Sequence, residues 1–308
     1  MHYAGMLGGV TACNSRWFDR PEFRVFVPRS CPAMTLLLEP TTDTATAGPL
    51  AVDLAGILPE RLGPLSLDTI RKLPIRADER PCELGAVFRI SGSATDGVIE
   101  CRGDFSRVHA VGAGMTAGTI LVAGSVGRHA AEGMTGGRVE IGGDAGDWLA
   151  TEMAGGLVRV AGHAGDNVGG GLPGSEHGLR GGLVIVTGDV GCLAGARMRR
   201  GLVAVGGACG AAAGFEMRSG LIVVGGRAGH HAGLGMRRGS LVFLADIPTV
   251  PACFARGRAW APPYLGLLIR RLKRAGFQPS SPLPSSWRQW HGDLLDGGRG
   301  EILHPNQR

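Results

Sequence analysis

Apolar residues between Gly97 and Phe243 recur on a fixed grid. With Gly97, Gly118, Gly137, Gly156, Gly182, Gly201, Gly220 and Gly239 as line starts, the spacings are 21, 19, 19, 26, 19, 19 and 19. Two positions after each start stand Ile99, Ile120, Val139, Val158, Val184, Val203, Ile222 and Leu241. Four positions after stand Cys101, Val122, Ile141, Val160, Val186, Val205, Val224 and Phe243. Both columns are wholly apolar, and a spacing of two is one face of a strand. A further glycine follows six residues after the start in seven lines, from Gly103 to Gly226, bounding each strand with a turn. Three residues before each new line stands Met115, Met134, Met153, Leu179, Met198, Met217 or Met236.

A strand this short cannot bury its face alone. Stacking successive lines as coils buries the columns on one another and pairs each backbone with its neighbours. The pattern predicts an all-β fold: a right-handed parallel β-helix of about eight 19-residue coils with N- and C-terminal caps. The left-handed form follows hexapeptides, which a 19-residue coil does not fit. At about 4.8 Å per coil the stack would be a rod of roughly 35–40 Å.

The ends of such a stack need covers. Residues 34–96 are expected to form the N-terminal cap, with a strand at Leu36–Leu38, a helix at Leu67–Leu73 behind Ser66 as N-cap, and an irregular strand at Ala86–Ser91. The coils take 97–244, and 245–308 forms the C-terminal cap and tail, with an amphipathic helix at Tyr264–Ala275. The 26-residue spacing hides an insertion of seven around Gly169–His177. Residues 1–33 resemble neither a signal peptide nor a domain, and read as a disordered extension or a mis-assigned start ahead of Met34.

Composition changes this picture little. Glycine accounts for 54 of 308 residues, as regular tight corners require. The net charge of +6 comes almost wholly from arginine, the only lysines being Lys72 and Lys273. Seven cysteines without a C-x-x-C pair argue against a disulfide framework and for a reducing cytoplasm. No run of 18 apolar residues is present, so no membrane helix is expected.

Catalytic patterns are lacking. His129 and His231 share a column but stand coils apart, and no H-E-x-x-H occurs, so no metal is expected. Asp144, Asp147 and Asp166 are neighbours by column, but glycine-rich turns use aspartate for local hydrogen bonds. No G-x-S-x-G and no GK[ST] is present.

Two features go beyond a plain coil. Arg180, Arg199, Arg218 and Arg237 stand two residues before successive line starts, with Arg200 and Arg238 beside two of them. Stacking would hold them about 5 Å apart. Either the side chains splay into water, or an acidic partner or polyanionic tail lies on them. The positions between the core columns turn from Arg138, Glu140 and Arg159 to Leu183, Ile185, Leu202, Ala204, Leu221, Val223 and Val242. Such an outward apolar patch needs a cover. The tail 245–308 could supply it; so could another subunit, making Leu183, Ile185, Leu202, Leu221, Val223 and Val242 a partner interface.

The repeat seen in GGRVEIGGDAG (Gly136–Gly146) and GLVAVGGACG (Gly201–Gly210) resembles the glycine-repeat component, designated C, of formylmethanofuran dehydrogenase. It is especially similar to the bacterial counterpart of that component, in the formyltransferase/hydrolase complex of methylotrophs. The C-terminal domain of the glutamate synthase large polypeptide shares this glycine repeat. The segments Gly165–Gly182 and Gly292–Leu303 look like the formyl-transfer branch, and the resemblance spans roughly 36–300. It implies a cytoplasmic, non-catalytic scaffold subunit in one-carbon metabolism, with an amidohydrolase-like and a formyltransferase subunit as partners. No nucleic acid or membrane partner is implied. The complex would move a formyl group between tetrahydromethanopterin and a methanofuran-like carrier and release formate. No cofactor would bind this chain directly, though a carrier's oligoglutamate tail could rest on the arginine row. The alternatives are the corresponding component of a molybdenum or tungsten formylmethanofuran dehydrogenase, a stand-alone β-helix enzyme acting on an acidic substrate, and a filament-like structural protein.

Overall fold

A computed structural model describes residues 35–41, 51–245, 249–279 and 283–306. The expectations for 1–33 and for Met34 lie outside the described residues.

The first strand, β1 (Leu36–Pro40), is followed by β2 (Val52–Asp53), the helical turns α1 (Pro59–Leu62) and α2 (Leu67–Arg71), β3 (Pro74–Ala77), β4 (Arg80–Glu83), α3 (Leu84–Val87) and β5 (Phe88–Ser91). Ser66 caps α2, its Oγ accepting from the Thr69 N–H at 3.2 Å. The segment expected as a strand from Ala86 begins instead as the turn α3 and extends only from Phe88. Then come β6 (Val98–Cys101), the short β7 (Val108–His109), and the regular strands β8 (Thr119–Val122), β9 (Arg138–Ile141), β10 (Leu157–Val160), β11 (Leu183–Val186), β12 (Leu202–Val205), β13 (Leu221–Val224) and β14 (Arg238–Phe243). The last elements are β15 (Ala255–Trp260), helix α4 (Pro263–Arg274), β16 (Trp287–Gly292) and β17 (Arg299–Pro305).

The regular structure is mostly strand, and the main sheet has 13 strands in the order β15-β16-β17-β14-β13-β12-β11-β10-β9-β8-β6-β1-β5. From β6 to β14 neighbours pair parallel and in register, Val139 against Ile120, Val158 against Val139, Val184 against Val158. A line start in one repeat therefore lies on the line start of the next. The columns predicted to be interior are so: Val139, Val158, Val184, Val203 and Ile222 are fully buried, as are Ile141, Val186, Val205, Val224 and Phe243.

The grid extends further than the repeat count suggests. At one end β1 pairs parallel with β6, placing Leu36 on Ile99 and Leu38 on Cys101. At the other, β17 pairs parallel with β14, placing Gly300 on Gly239 and Ile302 on Leu241. Antiparallel strands close both ends: β5 on β1, and β16 then β15 on β17. The tail thus docks as part of the sheet.

A second row of parallel bridges runs Phe105, Val126, Ala145, Ala164, Val190, Cys209 and Ala228, eight positions after each line start. Between it and the methionine column the backbone turns through left-handed residues. Glycine does not have sole use of this corner. His129, Trp148, Asn167, Leu193, Ala212 and His231 fill one column with φ between 59° and 64°. Such a residue costs about 1–2 kcal/mol. The gain is in hydrogen bonding, because alternate peptides point along the stack in opposite directions. The His129 N–H donates to Asp147 O of the next repeat, the Ala131 N–H to Val111 O of the previous one, and the Gly133 N–H to Thr151 O of the next. The corner backbone is satisfied on both sides.

Side chains reinforce the stacking. Asp144 Oδ1 accepts from the His163 N–H at 2.7 Å, His163 Nδ1 from the Asp189 N–H, and Asp189 Oδ1 from the Ala208 N–H at 2.6 Å. In a parallel row, Asp147 Oδ1 accepts from the Asp166 N–H and Asp166 Oδ1 from the Cys192 N–H at 2.7 Å. The expected local turn bonds are therefore bonds between repeats. Glycine makes room for them: a Cβ at Gly191 would lie 2.0 Å from Asp166 Oδ1, and one at Gly207 2.1 Å from Asp189 Oδ1. We expect Asp166→Ala to cost about 1–2 kcal/mol in urea denaturation, and Asp166→Asn less, because its amide oxygen still accepts. Equal losses in the two variants would show that the Cys192 bond contributes nothing.

Candidate functional site

The arginine row forms as a row. The N–H groups of Arg180, Arg199, Arg218 and Arg237 donate to the carbonyls of Met153, Leu179, Met198 and Met217 in the preceding repeat, at 2.7–2.8 Å. The surface is not purely basic. Arg218 lies 3.7 Å from Glu176, which the seven-residue insertion carries over the row. Arg237 lies 3.6 Å from Asp296 of the C-terminal segment. Arg180 reaches only the Glu152 carbonyl, at 3.5 Å. The Nε of Arg199 is buried without a hydrogen-bond partner, and Arg200 and Arg238 are exposed. Among the described residues none of Arg180, Arg199, Arg200 and Arg238 has a carboxylate partner. Column arithmetic misses one member: Arg299 lies directly on Arg238 through the β14–β17 pairing.

The apolar face is a correction. Ile185, Ala204, Val223 and Val242 are at most 1% exposed, because Leu265, Ile269 and Leu272 of α4, with Phe277, Trp287 and Leu303, cover them. Leu183, Leu202 and Leu221 are half-buried at the margin of the same cluster. The protein's own C-terminal segment therefore occupies the surface expected to meet another subunit. The face wants apolar cover, and α4 offers one on its inner side.

Two of the three charged residues before that face, Glu140 and Arg159, are also covered. Glu140, expected to point outward, is 3% exposed. Its Oε1 lies 3.2 Å from Arg138 Nη1 and 3.6 Å from Arg159 Nη1. The Arg159 side chain is only 12% exposed and runs beneath Gly276, where a Cβ would sit 2.2 Å from its Nη2. Glycine after α4 gives the guanidinium its space.

The remaining polar cluster with defined geometry is the turn Leu294–Asp296. Asp293 is 1% exposed and accepts from the Leu295 N–H at 3.0 Å and the Gly235 N–H at 3.1 Å. Burial pushes its carboxyl up, but the Cys253 thiol and these N–H groups outweigh it and hold it below its ordinary range. The Cys253 thiol is pushed up to about 11, by desolvation first and then by Asp293. A cleft of about 380 Å³ opens beside this turn, lined among others by Phe215, Leu234, Arg218, Arg237 and Asp296. Among the described residues no group of three or more His, Cys, Asp or Glu could hold a metal ion, and no helix is long and apolar enough to cross a membrane.

No family model and no curated protein matches the sequence. Among solved structures, a chain of the formyltransferase/hydrolase complex (FhcABCD) from Methylorubrum extorquens, crystallised with methylofuran, is similar. The two are 34% identical with a TM-score of 0.79, over 88% of this chain and 100% of that one.

Proposed function

This chain belongs to the same family as that subunit of the formyltransferase/hydrolase complex, and from this premise we propose that it is the glycine-repeat component of such a complex, a non-catalytic scaffold. The similarity over the full length of the Methylorubrum chain supports the reading. In it, the repeats form a right-handed parallel β-helix in the cytoplasm. The complex moves a formyl group between tetrahydromethanopterin and a methanofuran-like carrier and releases formate, with chemistry on amidohydrolase-like and formyltransferase subunits. Two observations support a scaffold role. The columns inside the stack are filled by apolar side chains. Asp144, Asp147, Asp166 and Asp189 accept N–H groups of the next repeat, which engages them in holding the repeats together.

The test is co-expression of the protein with the formyltransferase and amidohydrolase-like subunits of its host, followed by assay of formate release. A stable complex that loses assembly and turnover when this protein is omitted is expected. Turnover by the isolated protein would overturn the scaffold reading, and recovery with molybdenum or tungsten subunits would move it to the dehydrogenase branch.

The arginine row offers a resting place for an anionic carrier tail. Arg180, Arg199 and Arg200 are the arms without a carboxylate, while Glu176 and Asp296 compete for Arg218 and Arg237. Replacing Arg180, Arg199, Arg218 and Arg237 with Gln is expected to raise the carrier KM several-fold in the assembled complex. Unchanged kinetics would sink the assignment.

A further inference from the structure

The most exposed leucines among the described residues include two side by side on the turn after β16. Leu294 is 56% exposed and Leu295 86%. Nothing about the turn is loose. Its carboxylate anchor Asp293 is buried and fixed by the Gly235 and Leu295 N–H groups. The Asp293 N–H donates to Met236 O at 3.1 Å, its carbonyl accepts from Gly298 at 2.8 Å, and the Leu294 N–H donates to Cys253 O at 2.9 Å. Gly297 and Gly298, at φ +97° and +64°, return the backbone to β17. An apolar pair held outward by this many fixed bonds loses little conformational freedom when it is buried, which is the property of an interface anchor.

Two arginines stand at the base of the hairpin that carries the turn, while the cleft beside Leu295 is of mixed charge, with Arg218 and Arg237 beside Glu216 and Asp296. Arg238 and Arg299 are exposed, stand opposite one another in register, and have no ion pair among the described residues. Like charges so placed repel. A carboxylate supplied from outside would relieve both, and the same outside surface would cover the leucines.

We propose that the Leu294–Leu295 turn is a docking anchor that inserts into an apolar pocket on a neighbouring subunit of the complex, a pocket rimmed by carboxylates that meet Arg238 and Arg299. The proposal rests on the subunit reading above and adds the surface through which this end of the stack is held. The apolar face beneath α4 is covered by the protein itself, so this turn is a separate surface.

The experiment is reconstitution of the co-expressed complex with Leu295→Asp, and separately with the pair Arg238→Glu and Arg299→Glu, with association followed by mass photometry. Both variants should bind the neighbouring subunits at least tenfold more weakly, the wild-type association should weaken with salt, and Leu295→Met should stay close to wild type. The melting temperature of each isolated variant should match wild type, since none of the replaced side chains is buried in the core. If wild type assembles and Leu295→Asp assembles equally well, the docking anchor is wrong and the subunit reading stands. If the isolated protein instead pairs with itself through Leu295, the occupant is a second copy and the proposal is overturned. If wild type assembles with none of the subunits, the subunit reading falls and takes this proposal with it.

Discussion

Arg159→Met should lower the unfolding free energy by about 1–3 kcal/mol, because it removes the buried one of the two guanidiniums that face a buried carboxylate. Glu140 sits 3.6 Å from Arg159 and 3.2 Å from Arg138, and neither carboxyl oxygen makes an aligned hydrogen bond. Arg138 stays within 3.2 Å but is 41% exposed on its side chain, so solvent screening lets it compensate only in part. Joining the loss with Glu140→Leu removes the need for compensation, and a well-packed apolar replacement of a buried pair is often neutral. The double variant should therefore recover most of the loss. Urea denaturation of the single and double variants decides it. If Arg159→Met alone costs less than about 1 kcal/mol, Glu140 is solvated or rotated out and the buried pair does not govern this layer.

Gly156→Ala is expected to cost about 2–5 kcal/mol by the sum of two effects. The residue sits at φ +93°, where a side chain adds about 1–2 kcal/mol. Its Cβ would also lie 2.5 Å from Met134 Cε and 2.8 Å from the Gly137 carbonyl, and overpacking of this kind costs about 1–3 kcal/mol. The methyl group and the new Cβ compete for one space. Pairing the change with Met134→Ala should give a coupling energy well away from zero in a double-mutant cycle. Additive losses would show that backbone strain alone sets the cost. The same contact recurs through the stack: Met153 Cε under Gly182, Met198 Cε under Gly220, Met217 Cε under Gly239.

That contact explains why the sequence is so legible here. The methionine column and the glycine column are two sides of a single packing requirement, repeated once per line, so they stand out together. Val158 and Val184 are readable for the same reason, since a residue between two identical neighbours has little choice. Legibility fails where the grid is interrupted. Gly300 obeys the rule, with Met236 Cε 2.7 Å from its added Cβ, yet some 60 residues separate it from Gly239 and no constant spacing announces it. Leu36 and Leu38 occupy the grid's first row from the far side of the N-terminal cap, and are hidden likewise. The second bridge row, from Phe105 to Ala228, was readable as a column of small and apolar residues eight positions after each start.

The site was half legible. Column arithmetic places Arg180, Arg199, Arg218 and Arg237 side by side, but Glu176 and Asp296 reach them from an insertion and from the tail, which no column predicts. The apolar stripe around Val223 and Val242 was equally visible, and the pattern carries no sign of whether its cover belongs to the same polypeptide. Covalent attachment favoured the nearer answer: α4 arrives at high effective concentration, where a separate subunit must give up translational freedom to reach the same surface.

The in-register pairing at both ends has a further consequence. Because β1 and β17 engage the stack through the same columns that every internal strand uses, the closing elements do not depend on how many repeats stand between them. The repeat number is then a length setting. Removing or adding one regular 19-residue line shifts the Leu294–Leu295 turn relative to β1 by about 4.8 Å, with the end structures unchanged. A protein built this way is a ruler graduated in strand spacings, and the distance it holds between whatever meets its two ends is written in its sequence as an integer.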